Sequence, residues 1–234
     1  MNLRERVYEY VVDLAPLPAA PVLGTRRLFP VRRLYCVGRN YAEHAREMGG
    51  DPKREKPFFF QKAADSIVTD GAFPYPPLSS DVHHEIELVV ALKAGGQNIP
   101  AAKAKDIIYG YAVGLDMTRR DLQAEAKKQG RPWEAGKAFD RAAPLSAITP
   151  IEQSGFLVKG AITLDVNGER RQSGDLADMI WPVADIIAEL SQLFMLQPGD
   201  LIFTGTPAGV GAVKRGDRLH GEIARLVPLD VVVS

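Results

Sequence analysis

The sequence predicts an α+β domain built on a mixed β-sheet. Three observations carry that prediction. Apolar, β-branched runs of strand length recur at 88–92, 107–115, 201–203 and 226–233. Asn167-Gly168 separates two further stretches, and Asn-Gly suits the type I′ turn of a hairpin. Helical stretches are few, at 42–48, 119–129 and 182–194, and they do not alternate regularly with the strands.

In chain order, residues 1–30 read as a short N-terminal appendage and residues 31–234 as the main domain. Within the appendage, 7–12 has strand character, and Pro16, Pro18, Pro21 and Pro30 then interrupt regular structure. Residues 33–37 form a short strand. Gly38-Arg39-Asn40-Tyr41 turns out of it into a helix over 42–48, stopped by Gly49-Gly50. Residues 57–62 make an aromatic-rich strand, with Phe58, Phe59 and Phe60 expected in the core and Lys62 at its end. Thr69-Asp70-Gly71 and 74–77 form a turn-rich connector. The 107–115 strand closes on Asp116. The next helix carries Gln123 and ends at Gly130. The 182–194 helix places Pro182 at its first position, with Ile186, Ile187, Leu190 and Phe194 as its buried stripe.

Composition narrows the functional classes. Of 234 residues, 46% are hydrophobic and 25% charged, enough for a sizeable core. Twenty-nine basic residues balance 29 acidic ones, so no electrostatic nucleic-acid binder is indicated. The single cysteine, Cys36, lies in an apolar run. It excludes an intrachain disulfide, points to a reducing compartment, and reads as a small buried hydrophobe. No apolar stretch reaches the ~18 residues of a membrane span, and the N-terminal residues lead into no signal-peptide core. The expectation is a cytoplasmic protein with neither membrane nor nucleic-acid partner.

The chemistry centres on His83-His84-Glu85-Ile86-Glu87 and the strand behind it. Side chains alternate across a strand, so Glu85 and Glu87 share one face while Ile86, Leu88 and Val90 share the other. Two adjacent carboxylates repel, so either both reach solvent or a cation sits between them. Asp116 either caps the following helix or faces the pair as a third carboxylate. His44 and Glu47, three apart on one helix, are an ordinary surface pair or a carboxylate-oriented base. Lys62 is a solvated strand end or an anion contact. Lys137, between Trp133 and Phe139, is a snorkelling surface residue or a partly desolvated cation. Serine-nucleophile and zinc-peptidase motifs are absent. The loop 204–211 lacks the spacing of a phosphate loop. Three hard oxygen donors without sulfur suit Mg²⁺ or Mn²⁺.

Five segments together carry a resemblance: Val37-Gly38-Arg39-Asn40-Tyr41-Ala42-Glu43-His44, His84-Glu85-Ile86-Glu87-Leu88, Leu115-Asp116-Met117-Thr118 with Arg120-Asp121-Leu122-Gln123, Gly136-Lys137-Ala138-Phe139-Asp140, and Gly205-Thr206-Pro207-Ala208-Gly209-Val210-Gly211. In this order they resemble the fumarylacetoacetate hydrolase family, from about residue 31 to the C-terminus. The resemblance implies a mixed-sheet roll with a few peripheral helices, a catalytic domain over 31–234, a homodimer and a divalent metal. It implies hydrolysis of a C–C bond in an acylpyruvate-type oxo acid. By motif position it makes Glu85, Glu87 and Asp116 metal ligands, and His44 with Glu47 the water-activating pair on a mobile helix. Lys137, Gln123 and Thr206 become substrate and enolate contacts. Segments 31–41 and 57–62 resemble the bacterial branch acting on 3-fumarylpyruvate. That substrate has a second carboxylate, for which Arg39 and Lys62 are the candidate cations. One departure is Ala63, where the family commonly has Pro, so the loop after Lys62 is expected to be looser. Alternatives within the family are a general acylpyruvase, an oxaloacetate decarboxylase and an isomerase of unsaturated oxo-diacids. A non-catalytic dicarboxylate-binding module is the alternative outside catalysis.

Overall fold

The computed structural model describes residues 11–13, 15–47 and 56–234, apart from the side chains of Ala45 and Glu47. Two mixed sheets make the body. The larger runs Thr149–Pro150, Ile108–Leu115, Ile86–Leu92, Asp200–Phe203, Arg33–Val37, Phe59–Lys62 across its width. Its pairs are antiparallel except Asp200–Phe203 with Arg33–Val37. The second runs Glu169–Asp175, Ala161–Val166, Arg218–Ile223, Leu229–Val233, Ala72–Phe73, and only its last pair is parallel. Helices are short and few, the longest described one being Val183–Leu193. The predicted α+β class on a mixed sheet is what the chain adopts. Among the described residues no helix is long and apolar enough to cross a membrane.

The strand Ile86–Leu92 is buried over its whole length because both its faces meet apolar layers. Ile86, Leu88, Val90 and Leu92 enter a core shared with Ile162, Leu164, Leu219 and the helix residues Ile186, Ile187 and Leu190. Val89 and Ala91 enter a second core with Leu34, Cys36, Leu201 and Phe203. By alternation, Glu85 and Glu87 belong to the second face. Cys36 is fully buried, and burial first, then the Asp116 charge, pushes its thiol well up, as suits an inert core residue.

Several local expectations match closely. The hairpin Ala161–Val166 to Glu169–Asp175 turns through Asn167 at φ 54° and Gly168 at φ 82°, the paired positive angles of a type I′ turn. Arg33–Val37 is a strand with the predicted bounds. Others need correction. Pro182 sits one residue before its helix, with extended backbone. Phe58 is exposed while Lys62 at the same strand is buried, the reverse of what hydropathy suggests. Before residue 31 the described chain is also packed: Ala19–Pro21 pairs with Leu28–Pro30, and Ala20, Val22, Phe29 and Val31 share the core of Leu34. Residues 7–10, 14 and 48–55, including the end of the helix expected over 42–48, lie outside the described residues.

The loop after Lys62 is closed by a short turn, with the Ser66 N–H and hydroxyl both donating to the Ala63 carbonyl at 3.1 and 2.7 Å. Ala63 has φ −64° and ψ 142°, the angles proline imposes, and the preceding Lys62 ends a strand, as a residue before proline requires. Ala63→Pro is therefore expected to raise stability by about 0.4–1 kcal/mol through the unfolded state. That is a rise of about 1–4 °C in the thermal midpoint for a domain of this size. A fall on calorimetry would show that the loop needs its amide.

Candidate metal centre and active site

Strand pairing assembles the acidic trio. Glu85 and Glu87 are two apart on one strand. The Asp116 N–H donates to the Glu85 carbonyl at 2.8 Å, which sets Asp116 directly across from Glu85. Residues opposed across an antiparallel pair share a face, so the pleat turns all three carboxylates the same way. Gly114 stands opposite Glu87, where a Cβ would strike Val89 and Phe203. One oxygen from each acid lies within 4.8 Å of the others. All three are buried, at 5%, 1% and 0% exposure, so the solvent-facing reading of the pair fails. Asp116 is not a helix cap either, since the helix Arg120–Lys128 starts four residues later.

Cations ring two of the three acids. Lys137 Nζ lies 2.8 Å from Glu85 Oε2 and 2.8 Å from Asp116 Oδ2, and it also donates to the Thr118 hydroxyl at 2.7 Å. Arg120 binds the other Glu85 oxygen and donates to Gln123 Oε1 at 2.7 Å. Lys62 Nζ sits 2.8 Å from Asp116 Oδ1 and donates to the carbonyls of Met117 and Lys137. Lys137 is thus the desolvated cation, not the snorkelling one. Lys62 is an anion contact that donates to two carbonyls and forms a buried ion pair with Asp116. It does not line the pocket, which removes it as the cation for a distal substrate carboxylate.

The charges follow from these contacts. Burial opposes ionisation of Glu85, but Lys137, then Arg120 and His44, outweigh it and hold the carboxyl well below its ordinary value. Burial would push Lys137 down, yet Asp116 and Glu85 hold it above its ordinary value. Glu87 goes the other way. Burial first, then Asp116 and Glu85, push it well up, against a single 2.7 Å bond from the Gly205 N–H. Among the described residues no cation is in ion-pair contact with Glu87. A divalent cation within the trio would supply the missing positive charge, and the oxygen-only donor set fits such an ion.

Gly205 makes its contact from φ 94°, with its Cα so near Asn40 that a Cβ would come within 2.7 Å of the Asn40 Cβ. Asn40 itself is fully buried. Its Nδ2 donates to the carbonyls of Thr204 and Trp181, and its Oδ1 accepts from the Trp181 N–H. This clamps the start of the helix Ala42–Glu47 to the loop that touches Glu87. On that helix His44 is buried and lines a small pocket with Val37, Arg39, Glu85, Gln123 and Lys137. The Glu47 side chain lies outside the described residues, so the expected pairing with His44 stays an expectation.

Thr206 is buried but does not line that pocket. Its hydroxyl accepts from Gln172 Nε2 at 2.7 Å. Gln172 is fully buried and also donates to the Pro207 carbonyl, while its Oε1 meets the Ile86 N–H and His84 Nδ1. A register shift at Leu164/Asp165 leaves Arg171 as the extra residue in its strand, a bulge beside the point where Gln172 turns inward. Neither Gln172 nor Arg120 was assigned a role from sequence. For Gln172 no local signal exists. For Arg120 the signal is its place in the segment between Asp116 and Gln123, three residues before Gln123.

Fold and site together define a class: an α+β protein on mixed sheets with a buried carboxylate trio able to hold a hard divalent cation. The model of the fumarylacetoacetate (FAA) hydrolase C-terminal family matches residues 33–234. The chain belongs to the fumarylacetoacetate hydrolase family. It is 45% identical over 185 residues to a fumarylpyruvate hydrolase from Ralstonia sp., covering 79% of this chain and 96% of that one. It is 41% identical over 192 residues to the oxaloacetate tautomerase YcgM of Escherichia coli, covering 82% and 88%. The crystal structure of a fumarylpyruvate hydrolase from Pseudomonas aeruginosa in complex with Mn²⁺ and pyruvate superposes with a TM-score of 0.94 at 51% identity, covering 96% of this chain and 99% of that one.

Proposed function

We propose that the protein hydrolyses 3-fumarylpyruvate to fumarate and pyruvate, with Mg²⁺ or Mn²⁺ held by Glu85, Glu87 and Asp116. The observation that carries this reading is the buried trio, one member of which, Glu85, lines a pocket together with Lys137 and His44. The two fumarylpyruvate hydrolases named above support the same substrate. When bound, the divalent ion supplies a Lewis acid for the oxo-acid end of the substrate.

The remaining chemistry belongs to the chain's own groups. His44 takes a proton from water, and the resulting nucleophile adds to the acyl carbonyl. The C–C bond to the pyruvyl group then breaks, and its electron pair passes into the pyruvate enolate. Lys137, buried and protonated, neutralises that developing charge, and the proton taken up by His44 goes to the enolate carbon to give pyruvate. Gln123 borders the pocket with one oxygen fixed by Arg120, leaving its amide N–H groups for a substrate oxygen. Arg39 stands at the same pocket as a cation for the distal carboxylate.

A second reading, oxaloacetate tautomerisation, is favoured by the 41% identity to tautomerases. It needs proton transfer at carbon and no attack by water. The deciding assay follows loss of enol-diketone absorbance with fumarylpyruvate and acetylpyruvate, beside enol–keto exchange of oxaloacetate. Fumarylpyruvate should lead acetylpyruvate in kcat/KM by at least about tenfold, roughly 1.4 kcal/mol of transition-state stabilisation. Chelator should abolish the activity and Mn²⁺ restore it. Equal turnover of the two acylpyruvates would leave a general acylpyruvase. Exchange of oxaloacetate without cleavage of either would make the protein a tautomerase.

A further inference from the structure

The pocket above the metal centre is lined by four permanent or near-permanent cations, Arg39, Arg120, Lys127 and Lys137, and by a single carboxylate, Glu85. Arg120 and Lys137 are committed to Glu85. Among the described residues, neither Arg39 nor Lys127 has a carboxylate in ion-pair contact. Lys127 is also held in place. Its Nζ lies 4.8 Å over the Trp133 ring, and Trp133 in turn packs against Phe58 at 5.5 Å and Phe60 at 5.9 Å. Those aromatic rings give the ammonium an apolar wall on one side and leave the pocket on the other.

Arg120, Gln123 and Lys127 lie at i, i+3 and i+7 of the helix Arg120–Lys128, so they form one stripe. The stripe starts at Arg120, which holds Glu85, and its backbone rises about 10 Å along the helix to Lys127.

From this arrangement we propose that Lys127, with Arg39 beside it, forms an anion subsite at the pocket mouth that binds the distal carboxylate of the substrate and sets the preference for diacids. The inference rests on the hydrolase reading and adds a specificity-determining residue to it. Its crowded positive surroundings support it further. Burial, then Arg120, Arg39 and Lys137, push the Lys127 ammonium down to about 8, so an anion arriving there relieves repulsion and keeps the group charged. Lys62, paired with Asp116 and absent from the pocket lining, has no such part.

The test compares the kcat/KM ratio of fumarylpyruvate to acetylpyruvate in the wild type, Lys127→Met and Lys127→Arg. A ratio cancels general damage to the site. The ratio should fall at least about tenfold in Lys127→Met and recover most of its value in Lys127→Arg, since the cation and not the stem is needed. An unchanged ratio in Lys127→Met, with the wild type still preferring the diacid, overturns the subsite and leaves the hydrolase reading standing. A wild type that cleaves both compounds equally overturns the subsite as well. A wild type that cleaves neither overturns the hydrolase reading alone. The two compounds are then compared as ligands of the Mn²⁺-loaded protein by calorimetry. Selective loss of fumarylpyruvate affinity in Lys127→Met supports the subsite, and equal loss of both affinities removes it.

Discussion

Glu85→Gln should abolish turnover and weaken Mn²⁺ binding more than about a hundredfold, beyond the range typical of groups that only orient a metal ligand. The reason is charge, since the amide keeps the shape of the acid. Glu85 is the acid that answers two cations, Lys137 and Arg120, and it faces Asp116 across the strand pair. Neutralising it leaves a pocket dominated by positive charge, into which a divalent ion enters at a penalty. The two cations lose their shared partner as well. A buried pair broken from one side costs about 3–5 kcal/mol, so the variant's thermal midpoint should drop too. Metal affinity is therefore measured by titration calorimetry well below that midpoint, where the protein is folded. A Glu85→Gln protein with full activity in the presence of chelator would remove the metal centre from this site.

The legible parts of the molecule were those decided by neighbours in the chain. Asn167-Gly168 requires two positive φ angles, and those angles admit one tight hairpin. Glu85 and Glu87 share a face because alternation needs only the strand itself. The ambiguous parts were decided by partners far away. Whether Asp116 caps a helix or completes the trio turns on its bond to the Glu85 carbonyl, a contact between separate strands. Lys137 becomes a buried cation only once two carboxylates reach it, and nothing in Gly136-Lys137-Ala138 announces them. Phe58 and Lys62 show local hydropathy failing outright. The aromatic residue stays exposed, while the charge finds Asp116 and two carbonyls inside. Gln172 was beyond reach for the same reason in stronger form. Its four partners come from the strand start at 84–86 and the loop at 206–207, and only tertiary packing brings them to its bulged strand. Proline density in the N-terminal segment reads as irregular chain, yet Ala19–Pro21 and Leu28–Pro30 pair there and bury Ala20 and Phe29.

His44→Ala is expected to lower the rate of acylpyruvate hydrolysis by roughly 10²–10⁴, the range for loss of a positioned general base. His44 is buried at the edge of the pocket that contains Glu85 and Lys137, and it is not one of the three acids that converge. Mn²⁺ affinity should therefore stay within about threefold of the wild type, the spread expected for a group outside the ligand set. The same argument separates reactions. Hydrolysis needs a proton removed from water, whereas decarboxylation of oxaloacetate forms the enolate by loss of CO₂ and needs no water at all. Any decarboxylase activity should consequently fall far less than hydrolysis. The comparison is made on one preparation, with both rates and the Mn²⁺ titration recorded side by side. Parallel loss of the two activities at unchanged metal affinity would mean that His44 serves to hold the helix Ala42–Glu47 over the pocket. In that case the proton from water must pass to another group, and Lys137, already protonated between Glu85 and Asp116, is poorly suited to receive it.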